Sequence, residues 1–157
     1  MPPACIEIAF SDERLDSTGI SAKSDIEEDL GIRGVEKARF SELYYIDLPD
    51  EMGRIGEIAE KVFLDPIVQK HSLGPPIFQD YDFYIEVRLH NDVTDNLGMV
   101  AKEAIEDYLG RKAGGTVRSA KRYYLTGRIK REDAEKMARK LFANEIIETF
   151  TVAGKNE

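Results

Sequence analysis

The sequence nearly repeats itself halfway along. Displacing the 157-residue chain by 79 positions lays Ile6-Glu7-Ile8 on Ile85-Glu86-Val87, and Asp16, Gly19, Ala22, Lys23, Ile26, Glu27, Leu30 and Gly31 on Asp95, Gly98, Ala101, Lys102, Ile105, Glu106, Leu109 and Gly110. That gives 10 identities in 26 ungapped positions, where ordinary residue usage gives roughly two. After Gly110 the alignment slips by three across Lys112-Ala113-Gly114-Gly115, setting Val35 and Ala38 on Val117 and Ala120. The first displacement then returns, with Tyr44-Tyr45-Ile46 on Tyr123-Tyr124-Leu125 and Ala59, Lys61, Phe63 and Ile67 on Ala138, Lys140, Phe142 and Ile146. A unit of about 70 residues buries too little apolar surface to stand comfortably alone. Two such units gain by covering each other's faces or by extending one sheet edge to edge. A covalent tether then replaces a homodimer by raising the effective concentration of one unit around the other.

Both halves carry the same order of signals. Ile6 to Phe10 and Phe83 to Leu89 alternate apolar with polar, which predicts strands with one wet face. Asp16-Ser17-Thr18 and Asp95-Asn96 supply N-cap oxygens for helices whose apolar positions are Ala22/Ile26/Leu30 and Ala101/Ile105/Leu109, and Gly31 and Gly110 stop them. Val35 to Phe40 with Leu43 to Leu48, and Val117 to Arg122 with Tyr123 to Ile129, read as hairpins. Ala134, Met137, Ala138, Leu141 and Phe142 mark a second helix; its counterpart over 50–64 holds Gly53 and Gly56 and is weaker. Final strands at Ile67-Val68 and Ile146 to Val152 close each unit. The expected fold is α+β, two tandem βαββαβ two-layer units paired as an intramolecular pseudo-dimer. The units span 1–72 and 82–157, with the stiff Leu73-Gly74-Pro75-Pro76 opening a linker over 73–81.

Composition removes several function classes. There is no apolar run long enough for a membrane span, and Met1-Pro2-Pro3-Ala4-Cys5 lacks the basic and apolar regions of a secretory signal, so a cytoplasmic chain is expected. One cysteine excludes an internal disulfide, and two distant histidines exclude a His-rich metal site; no metal or other cofactor is expected. The net charge of -8 is uneven: residues 1–79 hold 8 Lys/Arg against 16 Asp/Glu, while residues 80–157 hold 14 of each. The acidic half disfavours a polyphosphate partner.

Reactive constellations are scarce. Phosphate-binding glycine loops, zinc-protease motifs and nucleophile elbows are missing from the sequence. Cys5 beside an edge strand, His71 in the linker and His90 after a strand read as structural or solvated residues. Glu27-Glu28-Asp29 and Glu103/Glu106/Asp107 read as solvated helix faces, and nothing signals apolar burial of a carboxyl group. The one unusual run is Arg118, Lys121, Arg122, Arg128, Lys130 and Arg131 around Tyr123 and Tyr124. Adjacent tyrosines on a strand face opposite ways, which argues against a base-stacking platform, and no nucleic-acid partner is expected.

The order and spacing of Asp95-Asn96-Leu97-Gly98, Val117-Arg118-Ser119-Ala120-Lys121 and Lys140-Leu141-Phe142-Ala143-Asn144-Glu145-Ile146-Ile147-Glu148 resemble the PurS family, the small subunit of phosphoribosylformylglycinamidine synthase. Asp16-Ser17-Thr18-Gly19 and Val62-Phe63-Leu64-Asp65-Pro66-Ile67-Val68 carry the likeness into the first half. Departures are Asn96 and Ser17 where the family has proline, and Ala120 where it has glycine. The resemblance implies a fused PurS dimer, free or leading a larger PurL-type chain, that takes part in purine biosynthesis. It further implies no active-site residues, an assembly role bridging a PurL-type synthetase and a PurQ-type glutaminase in support of ammonia transfer, and a possible further homo-oligomer. Arg118 and Lys121 are the candidate partner contacts. The competing expectation is a regulatory domain that senses a small metabolite between paired units.

Overall fold

The computed structural model describes residues 2–157. Strand β1 (Ala4–Phe10) leads through a short 3-10 turn (Glu13–Leu15) into helix α1 (Ser17–Leu30), and strand β4 (Phe83–Leu89) leads into helix α3 (Asn96–Leu109). Asp16 caps α1 by accepting from the Gly19 amide at 2.9 Å, and Asp95 caps α3 by accepting from the Gly98 amide at 2.8 Å. Gly31 and Gly110 end these helices in the left-handed region, at φ 68° and 74°. Gly19 and Gly98 serve close approach instead: a Cβ there would lie 2.6 Å from the Ala38 carbonyl oxygen and 2.3 Å from that of Val117.

The expected hairpins are single strands. β2 (Val35–Asp47) and β5 (Thr116–Gly127) each run straight through the point where a turn was expected. The polar residues there have partners across the β2–β5 ladder, Ser41 opposite Arg122 and Glu42 opposite Lys121, so no turn is needed to release them to water. Each half therefore runs strand, helix, long strand, short helix, strand, and not βαββαβ. The short helices depart from regular α geometry. In the first half a 3-10 segment (Pro49–Arg54) precedes α2 (Ile55–Ile58) and a π turn (Ala59–Phe63) follows; in the second, α4 (Arg131–Met137) runs into a π turn (Ala138–Phe142). Strands β3 (Gln69–Leu73) and β6 (Glu148–Gly154) begin later than expected. Asp65 and Asn144 side chains accept from the amides of Ile67 and Ile146, holding both isoleucines in turns outside the strands.

One six-stranded antiparallel sheet results, in the order β3-β1-β2-β5-β4-β6. Its registers keep the 79-residue displacement without a slip. Ala4 faces Ile46 as Phe83 faces Leu125, and Ile6 faces Leu73 as Ile85 faces Val152. The three-residue slip suggested by the valines is absent, because the longer turn after Gly110 is absorbed by a later start of β5. Glu42 and Lys121, equivalent under this displacement, sit opposite each other at the centre.

The helices cover one face and exchange partners. Ala22 and Ile26 of α1 pack with Ala134, Met137 and Ala138 of the second half, over Ile85, Val87, Tyr123 and Leu125. Ala101 and Ile105 of α3 pack with Ile55, Ile58 and Ala59 of the first half, over Ile6, Ile8 and Ile46. Each hydrophobic core thus draws on both halves, and neither half closes a core from its own residues.

Candidate functional site

The face of the sheet away from the helices was expected to be wet. Its centre is buried. β-strand alternation puts Glu7, Glu86, Ser41, Arg122 and Tyr124 there, all under 9% exposed. Arg122 lies between the two glutamates, with Nη1 donating to Glu7 Oε1 at 3.0 Å and Nη2 to Glu86 Oε1 at 2.5 Å. Its guanidinium also stands 4.3 Å from the centre of the Tyr84 ring. The tyrosines bridge the halves reciprocally: Tyr45 donates to Glu86 and Tyr124 to Glu7, each at 2.6 Å. Ser41 adds a 2.6 Å bond to Glu7. Arg122 breaks the symmetry, since its equivalent in the first half is Leu43.

This network sets the local electrostatics. Burial pushes the Glu86 carboxyl up, but hydrogen bonds from Tyr45 and Arg122, and the charges of Arg122 and Arg88, outweigh it and hold the group below the usual range. Burial raises the Tyr45 and Tyr124 hydroxyls, and the neighbouring glutamates raise them further. It also pushes the Cys5 thiol up to about 11, so the thiol stays protonated at neutral pH. Cys5 lies in β1, which is an interior strand and not the expected edge. His71 is on edge strand β3 and not in the linker, and His90 Nε2 is 3.2 Å from the Glu145 carbonyl oxygen.

Segment 74–82 caps one half of this face. Phe78 meets Tyr124 edge-on at 5.1 Å between ring centres, and the Arg39 guanidinium and Lys70 ammonium lie 4.3 and 4.7 Å from the centre of its ring. The Ile77 amide donates to Glu7 and to the Tyr124 hydroxyl. Among the described residues, the other half, around Tyr45, Arg88 and Arg118, has no such cover.

The two candidate partner contacts lie on opposite faces. Arg118 is braced at the outer face, donating to the carbonyls of His90 and Val93 at 3.1 and 3.3 Å, with Nε 3.8 Å from Asp95. Lys121 lies on the helix side, 4.0 Å from Glu148, in a cleft of about 640 Å³ over the sheet centre with Glu42, Tyr44 and Tyr123 in its walls. The remaining basic residues form no stripe. Arg122 is buried, and Arg131 pairs with Glu157 and donates to the Val152 carbonyl. Tyr123 and Tyr124 do face opposite ways, Tyr123 stacking on Phe142 at 4.0 Å. Sequence reasoning missed the buried carboxylates Glu7, Glu86 and Glu51; Glu51 meets the Arg111 guanidinium without an aligned hydrogen bond. The available signal was the Ile-Glu pair kept identically at both strand positions. Among the described residues, no cluster of three or more His, Cys, Asp or Glu could hold a metal ion, and no helix is long and apolar enough to cross a membrane.

Residues 82–156 fit the family model described as PurS, phosphoribosylformylglycinamidine (FGAM) synthase. The matched stretch is 75 of the 157 residues, just under half of the chain. The match spans β4 to β6, so the matched stretch supplies Arg122, Glu86 and Tyr124, while Glu7 and Tyr45 reach them from the other half. A comparison with curated proteins found no match.

Proposed function

We propose that this chain is a non-catalytic assembly component of phosphoribosylformylglycinamidine synthase in purine biosynthesis, acting in the cytoplasm. It consists of two PurS-like units, 1–72 and 82–157, joined by 73–81, and stands where a PurS homodimer would. It bridges the ATP-dependent synthetase and the glutaminase and supports passage of ammonia between them. The observation that carries this reading is the PurS match over residues 82–156 together with sheet registers that recur at the same displacement in residues 4–73. The buried polar groups Glu7, Glu86, Arg122, Tyr45 and Tyr124 are engaged in holding the halves together. Arg118 and Lys121, on opposite faces, are contacts for two different partners. The test is co-purification with each catalytic subunit at micromolar concentration: the parent chain associates, and charge reversal at Arg118 and Lys121 weakens association. Failure to associate with either subunit contradicts the proposal.

The helix-side cleft favours a second reading, a small metabolite bound over the sheet centre beside Lys121. A panel of amino acids and nucleotides at saturating concentration then raises the melting temperature by several degrees.

A further inference from the structure

The 79-residue displacement relates a filled site to an empty one. Phe78 is seated by Tyr124, Arg39, Lys70 and Ala9. Their equivalents on the uncapped half of the same face are Tyr45, Arg118, Thr149 and Arg88. The two seats are built alike. Arg39 is anchored through Nε to Asp16 at 2.9 Å and through Nη2 to the Phe10 carbonyl at 2.7 Å. Arg118 is anchored toward Asp95 and to the carbonyls of His90 and Val93 just beyond β4. Both guanidinium groups are therefore held at the rim of the sheet. Under Phe78 the Arg39 side chain is 12% exposed; the uncapped Arg118 side chain is 34% exposed.

The second carboxylate–tyrosine pair completes the likeness. In the filled seat Glu7 and the Tyr124 hydroxyl accept from the Ile77 amide. In the uncapped one Arg88 takes the donor's place, with Nε 2.6 Å from Glu86 and Nη2 2.8 Å from the Tyr45 hydroxyl; its guanidinium covers the Tyr45 ring face at 4.1 Å from the ring centre, leaving the ring edge free, and its side chain is half exposed. A cavity of about 160 Å³ remains there, bordered by Pro3, Tyr45, Arg88 and Arg118. Two arginines give it a positive rim, which favours a segment that carries carboxylates.

We infer that the Tyr45–Arg88–Arg118 patch is a docking seat for an extended segment of a partner protein carrying an aromatic side chain followed by acidic residues. The aromatic ring lies against the held face of Arg118 and the edge of Tyr45, and the acidic residues meet Arg88. This deepens the assembly reading by giving one of its surfaces a recognition chemistry, but it does not depend on which enzyme the partner belongs to.

The chain carries its own probe. A peptide of residues 74–82 (Gly-Pro-Pro-Ile-Phe-Gln-Asp-Tyr-Asp) is titrated into the isotopically labelled full chain and followed by NMR. Saturable binding is expected near millimolar affinity, with shifts confined to Tyr45, Arg88, Arg118 and Thr149. Replacing the phenylalanine of the peptide by alanine is expected to weaken binding at least about tenfold, through loss of the buried ring. In the protein, Thr149→Lys restores the cation that Lys70 supplies over Phe78 and is expected to tighten binding about threefold. Thr149 is exposed, so the variant carries little folding risk. Shifts at Tyr124 and Phe78 instead, equal affinity of the alanine peptide, an unaltered affinity of the Thr149→Lys chain, or binding of adenosine monophosphate but not peptide at the patch each overturns the inference.

Discussion

Replacing Arg122 by leucine, the residue that Leu43 supplies in the first half, removes the one cation placed between two buried carboxylates. Arg122 donates to Glu86 from Nε at 3.1 Å and Nη2 at 2.5 Å, and from Nη1 to Glu7 and the Tyr124 hydroxyl, both at 3.0 Å. Removing one partner of a buried, hydrogen-bonded ion pair costs about 3–5 kcal/mol. At a urea m-value of about 2 kcal/mol/M this lowers the unfolding midpoint by about 1.5–2.5 M. The pH dependence carries the sharper signature. In the parent the Glu86 carboxyl sits below its ordinary value of 4.5, so its contribution is complete above that pH and is lost as pH falls through the folded value. In Arg122→Leu, Glu86 keeps Tyr45 and Arg88 but loses the hydrogen bonds and charge of Arg122, so burial weighs more, its folded value moves up, and less stability is lost on acidification than in the parent. Adding Glu7→Gln and Glu86→Gln to Arg122→Leu recovers most of the loss. Urea titrations at pH 5, 6 and 7 decide the matter. A loss below about 1 kcal/mol, well under the expected cost of breaking a buried ion pair, with a pH slope as steep as the parent's, would refute the reasoning.

Gly98→Ala, whose Cβ would fall 2.3 Å from the Val117 carbonyl oxygen, lowers the melting temperature more than Gly53→Ala, where no atom lies within 4 Å; equal shifts by calorimetry would contradict the close approach of α3 to β5. Cys5, raised to about 11 from an ordinary 9.0, is about 1% thiolate at pH 9 where a free thiol is half ionised, so it reacts with a disulfide reagent far more slowly than in urea. A fragment of residues 82–157 lacks the α1 side of its core, exposing Leu125 and Met137; light scattering shows it associated or unfolded, not as a stable monomer.

Local signals in the sequence were legible where both cause and effect lie within a few residues. Asp16 and Asp95 cap helices, Gly31 and Gly110 end them, and the amide geometry at each is settled inside one turn. The displacement of 79 was visible because each half must present equivalent residues to the same sheet. The long strands were misread because Ser41-Glu42 and Lys121-Arg122 look like a turn until their partners across β2–β5 are known. Burial of Glu7 depends on Arg122, 115 residues away, and on segment 74–82 folding over the outer face. Alternation alone therefore announced a wet face. The exchange of α1 and α3 between the two cores was equally out of reach, since either helix presents an apolar stripe that fits both.

Reconstitution tests the assembly role most directly. The synthetase and glutaminase subunits are assayed for glutamine-dependent formation of the amidine product, with and without this chain. The account predicts that the chain alone hydrolyses neither glutamine nor ATP, and that adding it raises the glutamine-dependent rate while leaving the rate with free ammonia little changed. Full glutamine-dependent activity from the two catalytic subunits without it would contradict the account.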